Sequence, residues 1–388
     1  MTARPPSAAA RPTTTRSGPP RVARPSTGYG PVVPDSSTAP SDQLPAGLVR
    51  SDPSGPGLTR RRRGRGFGYL DDEGRPITDP EVVARLKALV IPPAWRDVWI
   101  SPDPTGHIQA VGTDAAGRRQ YRYHDLWRTA RDLVKYQRVL DLGRRMADVR
   151  PEVVRRLDTR GLSEERVLAG GVRMLDIGVF RPGGDEYAPG DGDEEGTFGL
   201  ATLRRDHVRL RRGAVEFQYL AKGGIERTLR LPDPRVHRLV GGLLRRRGGG
   251  EDLLVYRTGR SSWHDVRAED LNRAVKELVG EEHTSKDLRT WGATVLAAVT
   301  LAASAAEGVP RSQRARKRVV NAAIKNVSEH LGNTPTVARA SYVDPRVVAR
   351  FEEGRTVLPA LRRAGAPDPA DDAGRAVLER AVVELLEQ

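Results

Sequence analysis

Hydrophobic periodicity changes once along this chain of 388 residues, and that change constrains the fold more than any other feature. Up to about residue 124, apolar residues alternate in short runs between turn residues. Segments 98–101, 107–111 and 118–123 read as strands, with loops at 102–106 and 114–117. Residues 71–74 read as a turn, and 82–89 as a short helix ended by Pro92 and Pro93. From about Trp127 the period becomes 3.6. Leu126, Leu133, Tyr136, Val139, Leu140 and Leu142 share one helix face, and 149–157 predict a second helix. One hairpin interrupts the helical part: 214–220 and 225–231 alternate around Lys222-Gly223-Gly224. Residues 287–306 and 311–331 predict long helices. A terminal helix carries Val377, Leu378, Val382, Val383, Leu385 and Leu386.

The predicted class is therefore α+β. A small sheet-rich N-terminal domain (59–128) precedes a larger, mainly α-helical domain (129–365) that contains the hairpin. An acidic loop and C-terminal helix follow over 366–388. Residues 1–58 hold 12 of the 29 prolines, with many Ser, Thr and Ala and scattered Arg. Such a segment buries too little apolar area to offset its ordering entropy, so a disordered basic tail is expected. A second local anomaly is acidic. Asp185, Glu186, Asp191, Asp193, Glu194 and Glu195 sit in a Gly-rich stretch that fits no EF-hand spacing and reads as a solvated loop.

Composition narrows the function. The 65 basic residues exceed the 50 acidic ones, for a formal net charge of +15, so polyanions are the natural partners. No cysteine is present, which excludes disulfides, thiol catalysis and thiolate metal sites. The longest small-apolar run, 293–306, is too short to span a bilayer, and no export signal opens the chain. A cytoplasmic, nucleoid-associated protein is expected. Only seven of the basic residues are Lys, so Arg is the default cation and a well-placed Lys is the more informative residue.

No P-loop, dinucleotide fingerprint, G-x-S-x-G or H-E-x-x-H motif occurs. Three polar features stand out instead. Lys222 lies at the hairpin tip, where an ammonium could protonate a leaving alkoxide. Arg289 lies in 286–291, at the start of a buried helix, where a guanidinium needs a partner such as a phosphate. Thr334 and Pro335 open a new helix as N-cap and first-turn residue, with Tyr342 about two turns along it, roughly 10 Å by helix rise. A Tyr nucleophile would need nearby cations, because its free pKa is about 10.

Six stretches then resemble the type IB DNA topoisomerases, in particular the poxvirus-like bacterial branch. They are Ile91-Pro92-Pro93-Ala94-Trp95, Pro104 to Ala110, Gly117 to His124, Gly199 to Arg204, Lys286-Asp287-Leu288-Arg289-Thr290 and Leu331-Gly332-Asn333-Thr334-Pro335. The resemblance runs from about Leu58 to about Arg363. It implies a catalytic set of Arg181, Lys222, Arg289, Asn333 and Tyr342. Around Arg181 the chain departs from the family, with Pro182-Gly183-Gly184 following and the acidic stretch beyond.

The implied reaction is attack by Tyr342 on a DNA phosphodiester, giving a 3′-phosphotyrosyl enzyme and a free 5′-hydroxyl. Arg181 and Arg289 would stabilise the phosphorane, Asn333 would donate to a non-bridging oxygen, and Lys222 would protonate the leaving oxygen. Strand rotation and reversal then relax supercoils, with no cofactor, ATP or metal in the scheme. A monomer closing both domains around double-stranded DNA as a clamp is implied. The residues Arg118, Arg119, Tyr121, Tyr123 and Lys286 are the candidate DNA contacts, cations for phosphate and aromatics for sugar or base edges. Two rivals share parts of this pattern. Tyrosine recombinases use the same chemistry but generally carry His where Lys286 stands; a non-catalytic DNA-binding protein is the other.

Overall fold

The computed structural model describes residues 44–184, 196–365, 367–368 and 371–388. The expectations for residues 1–43 and for the acidic stretch 185–195 lie outside the described residues.

Five antiparallel strands open the fold: β1 (Leu58–Arg63), β2 (Gly66–Leu70), β3 (Arg96–Ile100), β4 (Ile108–Thr113) and β5 (Arg119–Tyr123). Their order is β2-β1-β3-β4-β5, so β5 is an edge strand. Helix α1 (Pro80–Ala88), capped by Asp79, presents Leu86 to Val98, Ile100 and Ala110, the small core of this part. Residues 44–57 correct one expectation. Leu48 is buried, and Val49 exchanges hydrogen bonds with Thr105 and His107 at 3.0 and 2.9 Å. A short apolar segment, Leu48-Val49, pairs beside the β3–β4 loop although the average composition of 1–58 is that of a tail.

The remainder is mainly helical. Helix α2 (Asp125–Leu157) is one element of 33 residues, not the two expected, with Pro151 inside it. A mid-helix Pro costs about 3 kcal/mol, but Val149, Val153 and Leu157 keep burying the same face through it, and that burial outweighs the cost. Helix α3 (Glu164–Gly178) packs on α2 and leads into the candidate site. A three-stranded sheet of β6 (Val208–Arg211), β7 (Ala214–Ala221) and β8 (Ile225–Leu231) follows, with the expected hairpin between β7 and β8 in register from Val215↔Leu231 to Ala221↔Ile225. Next come α4 (Pro234–Arg245), the ribbon β9 (Val255–Arg257) and β10 (Trp263–Asp265), and α5 (Ala268–Val279). Helices α6 (Ser285–Ser304), α7 (Gln313–Leu331), α8 (Pro335–Ser341), α9 (Pro345–Glu352), α10 (Leu358–Arg363) and α11 (Asp372–Glu387) complete the chain.

One large apolar core joins α2, α3, α6, α7, β7 and α11. The terminal helix is held by charge as well. Arg150 of α2 bonds Asp176 of α3 at 2.9 and 3.1 Å and Glu379 of α11 at 2.7 and 2.6 Å, and all three side chains are buried. Arg375 of α11 adds a 2.8 Å bond to Asp176. No described helix is long and apolar enough to cross a membrane.

Candidate active site

The C-terminal end of α7 organises the site. The last carbonyls of a helix have no partners inside it and carry partial negative charge, so they attract cations. Arg289, on the second turn of α6 and 2% exposed, donates through Nη2 to Leu331 O and through Nη1 to Val179 O. Arg227, on β8, donates to the same Leu331 carbonyl at 3.2 Å and to His330 O and Gly178 O at 3.1 Å each. Val179 ends α3 in a left-handed conformation (φ 48°, ψ 38°), rarely adopted by a β-branched residue. Its carbonyl is the one that Arg289 binds.

Arg181 lies two residues further on. Its Nη2 donates to Asn333 Oδ1, just past the end of α7. Accepting through oxygen fixes the amide orientation and leaves Nδ2 as a donor to be satisfied. The Arg181 segment is pinned from behind, because Leu200 N–H donates to Arg181 O at 2.9 Å and Ala201 N–H to Pro182 O at 2.7 Å. Gly183, at φ +86°, packs directly on Gly199, where a Cβ on Gly199 would stand 2.4 Å from Gly183 Cα. This contact explains the glycine after Pro182: the two backbones touch.

Tyr342 completes the group. It was expected within a helix, but α8 ends at Ser341 and Tyr342 is its C-cap (φ −126°, ψ −24°). The cause is Pro345, which disfavours helical geometry at Asp344 and starts α9 with Asp344 as N-cap. Thr334 and Pro335 open α8 as expected. The following backbone is held by Tyr136 Oη, which donates to Val343 O at 2.9 Å, and by Asp344 N–H, which donates to Thr294 Oγ1 at 3.2 Å. The Arg289 guanidinium lies 5.1 Å from the Tyr342 ring centroid. Burial opposes ionisation of this phenol, but the charges of Arg289, Arg181 and Lys286 outweigh it and hold its pKa below the ordinary value. Burial, with the charges of Arg181 and Arg227, also lowers the pKa of the Arg289 guanidinium, to about 9, against the opposing charge of Tyr342.

Three donors in this cluster are buried without a hydrogen-bond partner among the described residues: Arg181 Nη1, Arg289 Nε and Asn333 Nδ2. Among the described residues, no carboxylate pairs with Arg181, Arg227 or Arg289, whose hydrogen bonds go to carbonyls and an amide. Cations paired only with dipoles, beside unsatisfied donors, form a pocket suited to an oxyanion such as a phosphoryl group. No group of three or more His, Asp or Glu among the described residues could hold a metal ion.

Arg181, Arg289, Asn333 and Tyr342 are therefore brought together. Lys222 is at the exposed tip of the β7–β8 hairpin. Its strand reaches the cluster at Tyr219, which stacks on Phe180 with centroids 6.1 Å apart. Burial raises the Tyr219 phenol, against the charges of Arg227, Arg289 and Arg181. Lys222 is three residues beyond Tyr219, about 10 Å of strand rise. Lys286 is exposed, one helical turn before Arg289.

In the N-terminal sheet, Arg119, Tyr121 and Tyr123 share one face of β5. Tyr121 and Tyr123 stack at 6.0 Å, and Arg119 lies 5.7 Å from the Tyr121 ring. Arg118 precedes the strand and pairs with Asp114 at 3.0 Å, so it is not part of that face. Arg227 was not anticipated. The alternation of Arg227, Leu229 and Leu231 marked it as inward-facing, but in an Arg-rich chain one more arginine drew no attention.

Two family models match this chain. Residues 66–114 match the bacterial DNA topoisomerase IB N-terminal domain, and residues 124–355 match the eukaryotic DNA topoisomerase I catalytic core. A DNA topoisomerase 1B of Acanthamoeba polyphaga mimivirus is 27% identical over 293 residues, covering 74% of this chain and 85% of the viral protein. With its bacterial-type N-terminal domain and a catalytic core spanning more than half its length, the chain belongs to the type IB DNA topoisomerases.

Proposed function

We propose that this topoisomerase relaxes supercoiled DNA by transient cleavage of one strand, with Tyr342 as the nucleophile. The observation that carries the reading is the convergence of three unsatisfied buried donors, on Arg181, Arg289 and Asn333, beside a phenol whose ionised form the surrounding cations favour. Tyr342 Oη, ionised with its proton released to water, forms a bond to phosphorus as the bond to the 5′ oxygen breaks, leaving a 3′-phosphotyrosyl link. Arg181 and Arg289 hold the non-bridging oxygens, which gain charge in the transition state, and Asn333 Nδ2 donates to one of them. Lys222 on the hairpin delivers a proton to the departing 5′ oxygen. Rotation of the freed end releases supercoils. The 5′-hydroxyl then attacks phosphorus, gives its proton back to Lys222 and expels the tyrosine. The ester link conserves the energy of the broken bond, so no step requires ATP.

Duplex DNA is gripped on both sides in this reading. Arg119, Tyr121 and Tyr123 face it from the N-terminal sheet, Lys286 and the hairpin from the helical part, and the two parts act as a clamp. The test is relaxation of an arbitrary plasmid in EDTA without ATP, with Tyr342→Phe beside the parent enzyme. Relaxation by the parent and none by the variant is expected. Relaxation by the variant at the parent rate would remove Tyr342 from the reaction. Activity confined to a defined pair of sites would favour a recombinase.

A further inference from the structure

We propose that a basic cleft at the start of α7 is a second anchor for the DNA backbone, reaching from Arg339 near Tyr342 to about five to eight base pairs from the cleaved phosphate. The cleft has a volume of about 750 Å³, and Arg311, Arg314, Arg316, Lys317, Arg339 and Glu352 line it. Arg316 is structural there, donating to Pro310 O at 2.7 Å and Glu352 O at 2.6 Å. Arg311, Arg314, Lys317 and Arg339 are exposed and make no hydrogen bond or ion pair with any described residue. Glu352 is the only carboxylate among the lining residues.

This arrangement is unfavourable without a ligand. Cations at the first turns of a helix are repelled by its positive end, and no acidic residue lies in the first turn of α7. A polyanion relieves that repulsion, and the substrate of this enzyme supplies one. Position favours the duplex already held at the catalytic pocket. Arg339 is three residues before Tyr342, about 4.5 Å of helix rise, so the cleft continues from the pocket. Along α7, Val320 and Gln313 stand about 16 and 27 Å from Leu331. A duplex lying along α7 would cover that span in five to eight base pairs, at about 3.4 Å per step of B-DNA.

The inference rests on the proposed seat of the cleaved phosphate beside Tyr342, and the test separates the two. First, binding of a 24-base-pair duplex is followed against salt for Tyr342→Phe and for the same protein carrying Arg314→Ser, Lys317→Ser and Arg339→Ser. The slope of log K against log salt should fall in magnitude by about two to three, since each neutralised phosphate contributes about 0.9. Restoring charge with Arg314→Lys and Arg339→Lys should recover most of the slope, which a folding defect would not allow. An unchanged slope overturns the cleft. Second, the enzyme with intact Tyr342 is trapped on a 5′-bridging phosphorothiolate duplex and footprinted. Protection five to eight base pairs from the phosphotyrosyl link should vanish in the triple-serine variant while protection at the link remains. An identical footprint overturns the cleft, whereas failure to trap any complex counts against the Tyr342 mechanism and leaves the salt slope to decide the cleft.

Discussion

Asp176→Asn tests how the catalytic helices are held. The Asp176 carboxylate meets Arg150 at 2.9 and 3.1 Å, Arg375 at 2.8 Å and Arg173 at 3.9 Å, inside a network closed by Glu379. Asn keeps the shape and deletes one charge, leaving guanidinia that are 3–5% exposed at Arg150 and Arg173 with one counter-charge fewer. Removing one partner from a buried ion pair costs about 3–5 kcal/mol. The melting temperature should fall by on the order of 10 °C. Burial would raise the Asp176 carboxyl, but the charges of Arg375, Arg150 and Arg173 outweigh it and hold its pKa well below the ordinary range. A depressed folded-state pKa contributes stability in full above the unfolded value near 4 and loses it as pH falls through the folded value. Melting curves by circular dichroism should therefore differ most at neutral pH, and the gap should narrow only in strong acid. Melting temperatures within about 1 °C at pH 7, or a gap that widens on acidification, would refute this reasoning.

Gly199→Ala would place a Cβ 2.4 Å from Gly183 Cα and 3.1 Å from Arg181 O. Displacing Arg181 by about 1 Å should slow single-turnover cleavage on the order of 100-fold, with DNA affinity changed far less. Because cations hold the Tyr342 phenol below its ordinary pKa, cleavage should rise with pH and level off below pH 10. Arg289→Gln should move that plateau upward, as read from pH–rate profiles. Lys222→Ala should slow cleavage of an ordinary diester by about 10²–10⁴ and leave a 5′-bridging phosphorothiolate nearly unaffected, since a thiolate departs unprotonated. Equal slowing of both substrates would exclude Lys222 as the acid.

Much of the fold was legible because periodicity is local. The switch from alternation to a 3.6 repeat separated the sheet from the helices, and Thr334 with Pro335 marked the start of α8. The misreadings came from non-local packing. Residues 149–157 read as a separate second helix until the burial of Val149, Val153 and Leu157 along one continuous face of α2 is known, and Leu48 reads as tail until its neighbours at the β3–β4 loop are known. Tyr342 reads as helical because the effect of Pro345 on Asp344 propagates backwards along the chain. Within the candidate site, motif resemblance supplied Arg181, Arg289, Asn333 and Tyr342, which lie up to 161 positions apart. No local pattern could show that Arg289 and Arg227 share the Leu331 carbonyl, because that contact depends on where α6, β8 and the end of α7 cross.

The central claim is that Tyr342 carries the broken strand. The most direct measurement is mass mapping of the adduct trapped when the enzyme cleaving a duplex is quenched with SDS. Phosphonucleotide on the peptide containing Tyr342, joined through a 3′ phosphate, is the expected result. A linkage to another residue, or through a 5′ phosphate, would contradict it.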